Sequence, residues 1–158
     1  IKMLSPDEIK KVIAALNKCE KAIVPAKDFY CVIRKATCYA MEEDEMFVPP
    51  DMEYLDKFFS IASYNLEFIK TLFPGPYAAL VRTNKNGKEM FKRSEIKITM
   101  PSKEIIDIAK ECGGIFLRVI GKDIENKEDT SMIIYKGKLS REQVRVFDLR
   151  RDLEIIST

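Results

Sequence analysis

Apolar positions recur along this chain at helical spacing in some stretches and at strand spacing in others. Ile9, Val12, Ile13 and Leu16 share one helical face behind Ser5, Pro6 and Glu8, which together make a capping-box start with proline at the first helical position. A helix over residues 6–18 is expected. Ala22-Ile23-Val24 and Phe29-Tyr30-Cys31-Val32-Ile33 are short apolar runs divided by Pro25-Ala26-Lys27-Asp28, the pattern of two buried strands joined by a turn. Met52, Leu55, Phe58, Phe59, Ala62, Leu66, Ile69 and Leu72 then return to helical spacing, as one long or two short helices.

That run stops at Phe73-Pro74-Gly75-Pro76. Pro74 disfavours the α region at Phe73 and Pro76 does the same at Gly75, so the chain leaves the corner extended. A strand over residues 77–81, a turn at Asn84-Lys85-Asn86-Gly87 and a strand over residues 96–100 follow. Ser102 caps a helix in which Ile105, Ile108, Ala109 and Cys112 share a face, and Gly113-Gly114 ends it. Residues 115–120, 132–135, 144–147 and 153–156 read as further strands. Strands and helices are intermixed with strands in excess, which favours an α/β fold with a mixed, twisted sheet over a doubly wound parallel one.

The length of 158 residues, with 46% hydrophobic and 33% charged, suits one domain spanning residues 1–158 around one core. No stretch approaches the roughly 20 apolar residues of a membrane span, and Ile1-Lys2-Met3 lacks the anatomy of a signal peptide. Cys19, Cys38, Cys31 and Cys112 have no CxxC spacing, and the chain has no histidine, so no metal site is expected. Cys31 and Cys112 read as small core residues, and a reducing, cytoplasmic setting is expected.

Net charge is only +2, but the signs are segregated. Arg82, Lys85, Lys88, Lys92, Arg93, Lys97 and Lys103 form a basic stretch, which reads either as a charged hairpin surface or as a stripe that neutralises RNA phosphates. Tyr77 and Phe91 are candidates for base stacking beside it. Arg118, Lys122, Lys136, Lys138, Arg141, Arg145, Arg150 and Arg151 carry the basic character into the tail. Glu42, Glu43, Asp44 and Glu45 read either as a solvated loop or as a docking surface for a protein partner. Adjacent loop carboxylates lack the fixed separation and unlike environments of a hydrolytic acid–base pair.

In this order, the elements resemble the YrdC/Sua5 family, whose members make threonylcarbamoyl-adenylate for tRNA modification on an open α/β fold. The resemblance rests on the opening helix, on the strand–turn–strand ending at Ile33, on Pro74-Gly75-Pro76, on Ile98-Thr99-Met100-Pro101, and on Phe147-Asp148-Leu149 with Glu154-Ile155-Ile156. It implies a YrdC-like twisted mixed sheet flanked by helices. It also implies a nucleotide and substrate pocket around Lys27, Asp28, Tyr30, Arg34, Lys35, Lys97, Thr99, Lys122 and Arg145.

The departures fall on the contact positions of that family. Ala26 and Asp28 stand about where its signature threonines would be, acids occupy residues 42–45 where its Lys-x-Arg helix would supply cations, and Ala78 replaces a threonine beyond the Pro-Gly-Pro. Thr99 stands for an arginine, Val119-Ile120-Gly121-Lys122 for Thr-Ser-Ala-Asn, and Val144-Arg145 for a late Ser-Thr. The expectation is a catalytically impaired relative without a cofactor that binds RNA, as tRNA or a double-stranded segment, or another macromolecule through its basic face, and no catalytic residue is assigned. An active synthase using ATP and Mg2+, or a protein-interaction module, are the alternatives.

Overall fold

A computed structural model of the chain describes residues 3–120, 132–140 and 143–150. The first helix, α1, runs over Pro6–Asn17, and the Ser5 hydroxyl accepts from the Glu8 backbone N–H while the Glu8 carboxylate accepts from the Ser5 N–H. The expected box is therefore closed in both directions. Lys136 Nζ also lies 2.9 Å from Glu8 Oε1. The Ser5 backbone bond and the Lys136 contact hold the Glu8 carboxyl below its ordinary range. A lowered folded value stabilises above the unfolded carboxylate value and is lost as pH falls through the folded one. Ser5→Ala is expected to cost about 1 kcal/mol, because it removes the acceptor of a backbone N–H, whereas the cost of Glu8→Ala should shrink under acid once the carboxyl is protonated, and denaturation curves at the two pH values give the comparison.

Strands β1 (Ala22–Pro25) and β2 (Tyr30–Lys35) form the expected antiparallel hairpin, with Val24 opposite Cys31. A 3-10 turn over Ala36–Cys38 leads to β3 (Met46–Val48). The periodicity missed β3, because three residues are too few to show alternation and four acids precede them. The apolar middle forms two short helices, α2 (Tyr54–Phe58) and α3 (Ser63–Leu72), with β4 (Phe59–Ser60) between them.

The Pro-Gly-Pro corner ends α3 with Phe73 extended at φ −108° and ψ 143°, and the Phe73–Pro74 peptide bond is cis. Gly75 is tightly enclosed, since a Cβ there would stand 2.8 Å from the Leu72 carbonyl oxygen. Strand β5 (Tyr77–Thr83) leaves the corner as expected.

The expected turn at residues 84–87 is instead the start of a helix, α4 (Lys85–Phe91). Asn84 is its N-cap, with the side-chain oxygen accepting from the Gly87 N–H at 2.9 Å. Asn and Gly signal turns and caps alike, and burial of Phe91 decides between them. Strand β6 (Glu95–Thr99), helix α5 (Lys103–Cys112) and strand β7 (Ile115–Val119) follow the expected pattern, with Ser102 capping α5 and Gly113 ending it at φ 72°. Two shorter strands, β8 (Met132–Ile133) and β9 (Arg145–Asp148), complete the described sheet. The expected strand at residues 153–156, and with it part of the resemblance at Glu154-Ile155-Ile156, lies outside the described residues.

Among the described residues the sheet has nine strands, in the order β4-β5-β6-β3-β7-β2-β1-β8, and β9 pairs with β5 in parallel. Parallel and antiparallel pairs coexist, so the sheet is mixed. Helices α1 and α5 cover one core, where Leu16, Ile105 and Ile108 meet Val24, Ile33, Ile115 and Leu117. A second core joins Phe59, Ile69 and Phe91 to Val81, Ile96, Ile98 and Phe116, around the fully buried Phe47.

Candidate functional site

Strand alternation decides what this sheet can present. On β6, Ile96 and Ile98 enter the second core, so Glu95 and Lys97 emerge from the other side. Lys97 stands opposite Leu80 of β5, and Glu95 opposite Arg82. Two adjoining clefts lie here, of about 400 and 320 Å³, and both are lined by Asp44 and Lys97. The larger adds Glu42, Glu43, Arg93 and Glu95, and the smaller adds Met46, Arg118, Val119, Gln143, Val144 and Val146. Arg118 Nε stands 3.5 Å from Asp44 Oδ2, while Lys97 is in no ion pair among the described residues. The clefts therefore offer a mixed cationic, acidic and apolar lining.

The predicted pocket residues do not gather at one place. Arg34 is 4% exposed and its guanidinium binds the carboxylate of Glu45, 6% exposed, with Nε 2.7 Å from Oε2 and Nη2 on Oε1. Nη2 also donates to the Ala40 carbonyl, and the guanidinium lies 4.6 Å from the Tyr39 ring centre and 5.5 Å from that of Phe116. Burial alone would push the Arg34 pKa down, but the Glu45 hydrogen bonds and charge, with Glu42 and Tyr39 behind them, outweigh it and hold it above its ordinary value. This corrects the picture of residues 42–45 as a wholly solvated acidic loop, since Glu45 is an internal counter-ion.

Thr99 is fully buried, and its hydroxyl donates to the Tyr77 carbonyl at 2.7 Å. Ala78, opposite it in the β5–β6 ladder, is fully buried in the first core. Lys35 donates to Asn17 Oδ1 at 3.0 Å. Lys27 is exposed in the β1–β2 turn at φ 73°, and Asp28 is half-buried beside it. The buried Tyr30 donates its hydroxyl to the Gly137 carbonyl, accepts from the Lys136 N–H, and stacks on Tyr135 at 5.8 Å. Arg145 is exposed on β9, with its guanidinium 5.9 Å from the Phe147 ring centre. Lys122, with the Gly121 half of the Val-Ile-Gly-Lys comparison, lies outside the described residues, as do Arg141 and Arg151.

The basic stretch also divides. Lys85, Lys88 and Lys92 are exposed on α4 or at its C-cap, at spacings of three and four that put them on one side of the helix. Lys97 belongs to the opposite sheet face, with Arg82, and Lys103 to the first turn of α5. Arg93 turns inward and donates to the Met41 carbonyl at 3.1 Å. Phe91, one of the two stacking candidates, is 5% exposed and packs on Phe47, whereas Tyr77 is half-buried against Phe147.

Cys31 and Cys112 are buried as expected, and burial raises both thiols. Cys19 and Cys38 form a disulfide that joins the end of α1 to the 3-10 turn. Disulfides belong to oxidising settings, so the pair counts against the reducing compartment inferred from the cysteine spacing. No helix among the described residues is long and apolar enough to cross a membrane.

The architecture defines a class: this is the YrdC/Sua5 fold, carried by a sequence far diverged from the proteins that share it. YciO from E. coli superposes with a TM-score of 0.69 at 16% identity, over 91% of this chain and 84% of its own. Sua5 of P. abyssi, solved in complex with L-threonine, gives 0.67 at 14% identity, over 94% of this chain and 52% of its own. This chain thus spans about half the length of that Sua5. The MTH1692 protein of Methanobacterium thermoautotrophicum gives 0.64 at 16% identity, over 95% and 85%. No protein-family model matches the sequence, and no curated protein matches it.

Proposed function

We propose that this protein is a catalytically silent member of the YrdC-like fold class that binds RNA, as tRNA or a double-stranded segment, along the lysine side of α4. The observation that carries the reading is the shared exposure of Lys85, Lys88 and Lys92, which α4 and its C-cap gather on one side. Three ammonium groups on one ridge neutralise phosphates without reading bases. Support for silence comes from the buried pocket positions: Arg34 is committed to Glu45, Thr99 to the Tyr77 carbonyl, and Ala78 carries no hydroxyl.

Replacing Lys85, Lys88 and Lys92 together with glutamine is expected to weaken RNA binding at low salt and to reduce the slope of log affinity against log salt by about two to three. Filter binding across a salt series checks it. An unchanged slope and affinity would end the RNA reading.

A second reading, an active threonylcarbamoyl-adenylate synthase using ATP, Mg2+, threonine and bicarbonate, is supported by the shared fold with a threonine-complexed Sua5 and by exposed Lys97 in both clefts. Release of pyrophosphate from that mixture would establish it and displace the silent one.

A further inference from the structure

The segment over residues 36–45 is attached to the rest of the molecule in two different ways. At its beginning the link is covalent: Cys38 is bonded to Cys19, with Cα atoms 5.6 Å apart, and the neighbouring Tyr39 hydroxyl donates to the Cys19 carbonyl. At its end the link is electrostatic, through the buried carboxylate of Glu45 on Arg34. Between the two, Arg93 reaches the Met41 carbonyl and Asp44 pairs with Arg118, so the segment lies along both clefts and places carboxylates beside Lys97. Tyr39, 40% exposed, is the lid over the Arg34 guanidinium.

We propose that this segment is a redox-tethered strap, fixed along the clefts it lines by the Cys19–Cys38 disulfide and loosened when a dithiol reduces it, so that external anions compete better with its carboxylates for Lys97 and Arg118. The disulfide spans 19 positions, most of them already fixed by the β1–β2 hairpin, so the constraint it adds falls on the stretch that follows Lys35. Reduction balances simply: a dithiol reductant gives two electrons and two protons, becomes a disulfide itself, and leaves Cys19 and Cys38 as thiols. The strap then keeps its polar contacts and the Glu45 anchor, but the covalent bond that fixes Cys38, next to Tyr39, at the end of α1 is gone. The Asp44 carboxylate, which competes with an external anion for Lys97 and Arg118, is then held by exchangeable contacts alone and gives way more readily.

The test compares the oxidised full chain, the dithiothreitol-treated chain and a Cys19→Ser/Cys38→Ser variant by amide hydrogen exchange, with inorganic phosphate as the anion probe. Exchange over residues 38–45 is expected to speed up about tenfold in the two open forms while α5 stays unchanged. Phosphate affinity, followed by amide shifts on β6 and β7, is expected to rise about fivefold in both, and Asp44→Ala should reproduce that rise in the oxidised chain. Four titratable thiols in the untreated, denatured chain would overturn the proposal, because no tether would exist. Equal acceleration in α5 would also overturn it, since the disulfide would then stabilise the whole fold. So would faster strap exchange with unchanged phosphate affinity.

Discussion

Glu45→Ala is expected to destabilise the fold by about 3–5 kcal/mol, far beyond what an acidic loop residue would contribute, because it strands a buried cation. Arg34 and Glu45 are 4% and 6% exposed, so neither charge has water to fall back on, and the carboxylate also accepts from the Glu42 N–H at 2.8 Å. The pair is not for that reason a large net stabiliser, since desolvating both ions offsets most of their attraction. A double variant, Arg34→Met with Glu45→Leu, should therefore recover most of the loss. Urea denaturation of the wild type, Glu45→Ala and the double variant separates the two statements. A cost below about 1 kcal/mol for Glu45→Ala would place the pair among solvent-exposed ones and refute its burial.

The second large effect is expected at Gly87. Glycine-to-alanine inside a helix ordinarily stabilises by up to about 1 kcal/mol. Here a Cβ would meet the Phe58 carbonyl oxygen at 2.0 Å and Thr83 Cβ at 2.9 Å. That carbonyl accepts the Asn84 N–H at 3.0 Å, while the Asn84 side chain donates to the Lys57 carbonyl at 2.9 Å, so backbone rather than a flexible side chain would have to yield. Gly87→Ala should cost about 3 kcal/mol and detach α4 from α2. Asn86→Ala, one position earlier and exposed, should be neutral or slightly stabilising, and thermal melts of the two variants give the comparison. Since α4 carries Lys85, Lys88 and Lys92, Gly87→Ala should also weaken RNA binding if the proposed ridge is the contact.

Much of this was legible in the chain because local signals and the final fold agree. The Ser5 box, the Ser102 cap with its Gly113 stop, the two strands around residues 25–28 and the proline corner are each decided within a few residues. Their order was enough to suggest the YrdC-like architecture that the solved structures share. The errors fall where two readings have similar local energies. Asn84 and Gly87 suit a turn as well as a helix start, and only the packing of Phe91 onto Phe47 and Phe59 selects the helix. Met46-Phe47-Val48 is too short for its period to show, and it becomes a strand because β6 and β7 lie on either side of it.

The candidate site was less legible still. Glu45 looks like its three acidic neighbours in sequence, and its difference is the arginine 11 residues earlier, which β2 places against it. Cys19 and Cys38 show no motif, and they meet because the β1–β2 hairpin returns the chain to the end of α1.

The Pro74-Gly75-Pro76 corner, the caps and the apolar periodicities were determined by the sequence alone, because dihedral limits and side-chain hydrogen bonds act over one to four residues. The tertiary structure alone decided which charges are spent and which are displayed: Arg34 inside with Glu45, Lys97 out over the clefts, and three lysines along α4. The reason is physical. A charge's fate depends on desolvation and on partners brought from distant parts of the chain, and neither is encoded in its own neighbourhood.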